Sequence, residues 1–193
     1  MDSFEPIRAV VNIEGVPSDF PTHRHSPLFW EWLGRTVATF GFLEETLGKA
    51  IYSMTGTKPV DEKDFEAEFA KWLPTLERAL SDQLGGLIDS YTKAVRNHPG
   101  ATITNLNELV EDLRKASVIR NVLCHGSWGL PDAEGATIPL FVNKRREVFE
   151  SPIDVAYLRQ VQRHVTELSV AVINGVTHMG WRFPGSSGPG RPI

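Results

Sequence analysis

Three side chains in one short segment combine a cation, an amide and an imidazole. They are Arg120, Asn121 and His125, and Gly126 follows at a place where a helix often ends with a positive φ. On a helix with about 3.6 residues per turn, Asn121 and His125 share a face, whereas Arg120 lies about 140° from His125 around the axis. Arg120 and His125 therefore meet only on a surface that both can reach. A two-fold partner presenting the same helix is the simplest such surface.

These residue types suit cleavage of a phosphodiester bond in RNA. The reaction needs a base for the ribose 2′-hydroxyl, an acid for the leaving 5′-oxygen and positive charge for the phosphorane. Histidine can do the first two jobs near neutral pH, and arginine donates paired hydrogen bonds to phosphate oxygens. We therefore predict that Arg120 and His125 are catalytic and that Asn121 orients one of them or the phosphate. No carboxylate cluster lies near the motif, so cleavage is expected to need no metal and no cofactor.

The segment Arg-Asn-Val-Leu-Cys-His-Gly resembles the signature of the HEPN superfamily, in which an arginine and a polar residue precede a histidine. The resemblance covers roughly residues 28–179, and residues 40–44 are also similar to the first-helix pattern of that family. It implies a helical bundle, often a dimeric and metal-independent endoribonuclease, with Arg120 and His125 catalytic and Asn121 at the polar position. Many members are toxins or defence proteins, frequently paired with a nucleotidyltransferase antitoxin. Others have lost catalysis and serve as binding or assembly modules.

Two functions from different classes therefore stay open. The first is an endoribonuclease that cleaves by 2′-hydroxyl attack at a composite dimer site and leaves a cyclic phosphate. The second is a non-catalytic HEPN-like bundle that binds a partner protein or a nucleotide. The intact Arg-Asn-His set favours the first. The net charge of −4 and the pI of about 5.9 favour the second, because proteins that coat RNA are usually basic.

The motif has a structural alternative and a second copy. Arg120 could form an internal ion pair with Glu44 or Glu45, and a histidine near a helix C-terminus is favoured by the helix dipole. Arg159 and His164 repeat the spacing on another predicted helix. That copy has a glutamine after the arginine and no glycine after the histidine, so it serves as an internal control.

Basic and aromatic residues after the motif are further candidates for contact with RNA. Trp128 lies two residues past Gly126 and could stack a base. Lys144, Arg145 and Arg146 occupy a predicted turn and could guide the strand towards the cleft. The alternative for this run of charge is a solvated turn, and the alternative for the tryptophan is packing.

The amino-acid composition of the chain limits the class of protein to which it can belong. The 193 residues are 41% apolar and 23% charged, which is typical of one soluble globular domain. No apolar run is long enough to span a bilayer, and the N-terminus has no hydrophobic signal region. The single cysteine, Cys124, excludes an internal disulfide and a cysteine-based zinc site, so a reducing cytoplasm fits best. His23 and His25 have no acidic partner nearby and are interpreted as part of a solvated arm.

Helical periodicity supplies the elements that position the motif. Apolar residues recur at three-four spacing in four regions: 28–52, 62–95, 105–124 and about 151–179. Pro74 is predicted to kink or break the second region, and Gly85-Gly86 is another weak point in it. Ser151 is predicted to cap the last helix, with Pro152 at its first position. The prediction is a mainly all-α, antiparallel bundle of four or five helices.

The remaining segments complete the predicted domain organisation. Apolar and β-branched residues on both sides of the basic turn suggest a small β-hairpin inserted within about 127–150. Residues 1–27 contain several prolines and are predicted to form an irregular arm, and the bundle is predicted to span 28–180. The Gly-, Pro- and Ser-rich residues 181–193 are predicted to form a flexible tail.

Overall fold

The computed structural model describes residues 9–56 and 60–187. The α-helices in these ranges are α1 (Pro27–Thr55), α2 (Phe65–Ser81), α3 (Leu84–Arg96), α4 (Leu106–His125) and α5 (Val155–Thr177). Short 3-10 turns lie at Ile13–Gly15, Thr22–Arg24 and Glu62–Asp64. The predicted all-α class is confirmed. None of the described helices combines the length and the apolarity needed to cross a bilayer.

Helix α1 is the centre of the bundle, because it contacts each of the other four helices and packs most extensively on α5. The middle of its apolar stripe is buried, as the side chains of Phe40, Leu43 and Leu47 show. Leu158 and Val165 of α5 are buried in the same core. Burial of a side chain of this size contributes about 1.5–3 kcal/mol. The contact of α1 with α4 sets the position of the Arg120 motif on this core.

A tyrosine hydroxyl is buried where α3 packs in the core. The Oη atom of Tyr91 has no hydrogen-bond partner among the described residues, and burial raises the pKa of Tyr91 to about 12. A Cβ at Gly175 of α5 would lie 3.1 Å from this hydroxyl. The tyrosine is therefore neutral at physiological pH and acts as a core side chain.

The helices begin where local polar groups satisfy their first N–H groups. At α1, the Ser26 side chain accepts from the backbone N–H of Phe29 at 3.3 Å. At α5, the predicted cap at Ser151 is wrong, because the carboxylate of Asp154 accepts from the N–H of Tyr157 at 2.6 Å. The helix cannot start earlier, since the backbone of Ile153 already pairs with residue 137.

Pro74 does not break the second helical region. It lies inside α2, which continues to Ser81, and the chain turns instead at Asp82, whose backbone is extended. Proline has no N–H to donate to the carbonyl of Ala70 one turn earlier. Both residues are exposed, so water can satisfy that carbonyl. The second region therefore becomes two helices, and the break falls after Pro74 and just before the other predicted weak point, Gly85-Gly86.

Residues 127–153 link α4 to α5 without regular strands. Isolated antiparallel bridges join Ser127 to Leu140, Thr137 to Ile153 and Val142 to Val148. These bridges join single residue pairs, and no strand forms in the part of the chain that the structure describes. The structure therefore does not show the predicted β-hairpin as a regular element.

The C-terminal end of the described chain packs on the bundle. Phe183 is buried against the core, and the rings of Trp181 and His98 meet edge to face at 4.9 Å. The predicted tail thus has a packed first part, and its residues 188–193 lie outside the described residues. Residues 1–8 of the predicted arm also lie outside them.

Candidate functional site

The motif lies at the C-terminal end of α4, where the helix stops at Gly126. The N–H of Gly126 donates to the carbonyl of Val122 at 2.8 Å, and its φ of −68° and ψ of 142° are extended. The expectation of a positive φ is therefore wrong. A Cβ at this position would lie 2.6 Å from the Val122 oxygen and 2.9 Å from the Cβ of Pro139. The glycine is needed for this close approach.

Arg120 faces α1 and forms an ion pair there. Its Nη2 atom lies 3.4 Å from Oε1 of Glu44, and the two side chains are 22% and 27% exposed. That carboxylate oxygen is buried and has no hydrogen-bond partner among the described residues, so the guanidinium supplies its charge compensation. Glu45 turns outwards and pairs with Lys49 at 2.6 Å. The internal ion pair that is the structural alternative for Arg120 is therefore formed within the protomer, with Glu44.

Asn121 and His125 lie on a different side of α4. Nη1 of Arg120 donates to Oδ1 of Asn121 at 3.5 Å, and Asn121 is half-buried. His125 is exposed and forms no hydrogen bond or ion pair within the described chain. Val118 precedes His125 by seven residues, which places the two about 20° apart around the helix. Its side chain is 52% exposed, so this face of α4 is not packed within the protomer.

The structure thus brings together only part of the predicted set. Asn121 touches Arg120, while His125 makes no contact of this kind with either residue. The angular separation of about 140° between Arg120 and His125 explains why one helix cannot place both on the same cleft. A second copy of the helix that supplies the missing group stays a prediction.

Trp128 packs on the start of α1. Its ring meets Phe29 edge to face at 5.3 Å and Trp30 at 6.4 Å. His25 belongs to the same cluster and stacks on Phe29, with 4.4 Å between the centres of the two rings. Trp128 is half-buried, so only part of its indole remains open to a base. Its contact with RNA stays a prediction.

His25 makes a long-range contact that could not be predicted from the sequence. It is only 7% exposed, and its Nε2 atom lies 2.8 Å from the carbonyl oxygen of Gly129. The interpretation of a solvated arm is therefore wrong for His25, whereas His23 is exposed. The two partners are 104 residues apart in sequence, so no local pattern indicates the contact. It ties the N-terminal arm to the chain just after the motif.

The basic turn is organised by Asn143. The Asn143 side-chain oxygen accepts from the N–H groups of Arg145 and Glu147 at 2.9 and 3.0 Å, and Arg146 has a φ of 63°. The side chains of Lys144, Arg145 and Arg146 are exposed and form no ion pair with any described residue. Three cations are therefore held on a defined turn.

The second copy of the spacing has other partners. The guanidinium of Arg159 lies 4.6 Å from the ring centroid of Trp32, a cation–π contact. His164 is exposed, and its Nδ1 atom lies 3.9 Å from Glu167. Arg159 is therefore engaged on α1 while His164 faces solvent beside an acid.

Comparisons of the chain with protein-family models, with curated proteins and with solved structures find no match. Within residues 9–56 and 60–187, no group of three or more His, Cys, Asp or Glu side chains is arranged to hold a metal ion. The candidate functional residues are therefore those of α4 and their neighbours.

Proposed function

We propose that this protein is a metal-independent endoribonuclease of HEPN type that acts as a homodimer in the cytoplasm. The observation that carries the proposal is the unpacked face of α4, where His125 is exposed beside Asn121. Arg120 supports it, because Glu44 holds the guanidinium next to Asn121 and leaves other N–H donors free for phosphate. The resemblance adds a role as a toxin or defence protein, with a nucleotidyltransferase-type antitoxin as partner.

The proposed reaction uses one histidine from each protomer. The ribose 2′-hydroxyl attacks the phosphorus as His125 takes its proton, and the bond to the 5′-oxygen breaks as the partner's His125 donates a proton to it. Arg120 stabilises the charge on the phosphorane through paired N–H groups. The products are a 2′,3′-cyclic phosphate and a free 5′-hydroxyl. Trp128 and the basic turn at Lys144, Arg145 and Arg146 are proposed to contact the flanking RNA.

The proposed dimer predicts a measurable mass. Light scattering at micromolar concentration should give about twice the 21.5 kDa of one chain. Val118→Glu should yield a monomer without cleavage activity, because it places a charge on the face that carries His125. Val170→Glu is the matched control, since Val170 on α5 is 48% exposed and lies on another helix. A wild-type monomer would remove the composite site.

The chemistry is tested with a substituted substrate. An RNA with one 2′-deoxyribose at the mapped cut position should not be cut there, because the proposed nucleophile is missing. Cuts at other positions in the same strand should continue at the normal rate, and their 3′ ends should carry a cyclic phosphate. Cleavage at the deoxy position would contradict the proposal.

A second function is favoured by a different observation. The Arg120–Glu44 pair gives the arginine a structural role, and α2 leaves large apolar side chains exposed, among them Phe65, Phe69 and Leu80. Exposed apolar groups on one helix are typical of a surface that binds another protein. Under this alternative the bundle is a non-catalytic HEPN-like module for a partner protein or a nucleotide, and RNA stays intact.

A further inference from the structure

A polar groove lies between α3 and α4, on a part of the bundle that the motif does not occupy. It has a volume of about 300 Å³ and is lined by Asp89, Thr92, Lys93, Arg96, Asn97 and Arg114. A second cavity of about 150 Å³ adjoins it, shares Lys93 and Asn97 with it, and adds Arg78 of α2. The two cavities adjoin at Lys93 and Asn97, and we call their combined lining the α3 track.

The α3 track is strongly positive in a chain whose net charge is −4. Four cations and one carboxylate line it, and the carboxylate of Asp89 is paired with Arg114 at 2.7 Å. Arg78, Lys93 and Arg96 form no ion pair within the described ranges. The hydrogen bonds of the two arginines go to neutral oxygens. Three positive charges are therefore left without a counter-charge from the chain.

Helix stability explains only part of this arrangement. Lys93 and Arg96 lie in the last turn of α3, where cations interact favourably with the helix dipole. Arg78 lies in the last turn of α2, so the dipole of that helix favours it in the same way, and Arg114 is paired with Asp89. These local effects do not account for the convergence of cations from three helices on the same track. A ligand with repeated negative charges does account for it.

The α3 track and the motif share helix α4, through Arg114 and His125. Arg114 and His125 are eleven residues apart on α4, which places them about 20° apart around the helix and about 16 Å apart along it. Both are exposed. Arg114 of the track and His125 therefore lie on the same side of α4.

We propose that the α3 track binds the phosphate backbone of a single RNA strand whose cut site lies at His125. This inference rests on the proposed ribonuclease function and adds a second contact region to it. The described lining contains no aromatic side chain, so the track has no platform for stacking bases. It binds through charge and is expected to be indifferent to base sequence.

The test measures binding of an RNA that cannot be cut. A fluorescent single-stranded 2′-O-methyl RNA is titrated with the full chain at several salt concentrations. The double variant Lys93→Gln, Arg96→Gln should bind roughly tenfold more weakly near 0.1 M salt. The negative slope of the logarithm of the association constant against log salt should become shallower by about 1.4. The control Lys63→Gln, Lys71→Gln removes the same charge from exposed positions outside the track and should bind like wild type.

A charge-preserving variant guards against misfolding. Lys93→Arg, Arg96→Lys should retain the wild-type affinity and slope. The inference is wrong if the wild type does not bind, if the track variant binds like wild type, or if both neutralised variants weaken equally. Because the probe has no 2′-hydroxyl, these outcomes do not depend on cleavage. Weakened binding by the track variant in a protein that never cuts RNA would overturn the ribonuclease proposal and leave an RNA-binding track.

Discussion

Replacement of His125 with alanine is expected to lower the rate of RNA cleavage by at least about 10²–10⁴-fold, the usual contribution of one positioned acid or base, because the variant homodimer loses both groups. The fold should be unaffected, because His125 is exposed and makes no hydrogen bond or ion pair within the described chain. The measurement is single-turnover cleavage of end-labelled RNA, with circular dichroism and thermal unfolding as checks on folding. Binding of uncut RNA should change little.

His164→Ala is the matched control for this experiment. His164 is also exposed and also follows an arginine by five residues, but its neighbour is Glu167 and its arginine packs on Trp32. Its loss should leave cleavage near the wild-type rate. If His164 proves essential and His125 dispensable, the wrong copy of the spacing has been chosen and the resemblance to the HEPN signature loses its functional meaning.

Arg120→Ala is expected to lower the cleavage rate by about 10²–10³-fold, because removal of a donor to developing charge costs this much in other active sites. The rate should fall more than the affinity for RNA. The same change leaves the buried Glu44 oxygen without its cation, so unfolding should become easier by about 1–3 kcal/mol. Rates must therefore be compared below the thermal transition of the variant.

Glu44→Gln separates the two roles of Arg120. The amide keeps the size of the side chain and an oxygen facing the guanidinium, but it removes the ion pair. Cleavage should fall much less than in Arg120→Ala, because the arginine remains to bind phosphate. If Arg120→Ala lowers stability and leaves cleavage unchanged, the ion pair is the whole function of the arginine. The non-catalytic module is then the better description of the protein.

The helices could be predicted from sequence because their signals are local. The apolar stripe of α1 and the end of α4 at Gly126 depend on residues a few positions apart. The start of α5 could not, because Ile153 is held by a backbone pair with Thr137, sixteen residues earlier. The break after Ser81 lies near Gly85-Gly86 and not at Pro74, because an exposed proline inside α2 is tolerated when water reaches the carbonyl that it leaves free.

The candidate site also has one part that could be predicted from sequence and another that could not. Arg120, Asn121 and His125 lie within one helix, so their relative directions follow from helical geometry. The contact of His25 with Gly129 and the cations of the α3 track come from segments far apart in sequence. No run of charge or aromatic residues marks either group. Such features become visible only once the helices are packed.

The crowding around Gly126 affects how further copies of this motif should be sought. Any side chain there would press on the Val122 carbonyl and on Pro139, so the glycine serves the exit from α4 whatever His125 does. A chain with this glycine and no histidine could keep the same helix end and lack the proposed proton carrier. A sequence search that requires the glycine therefore finds chains with this helix end. A search that requires the arginine, asparagine and histidine finds chains with the residues of the proposed chemistry.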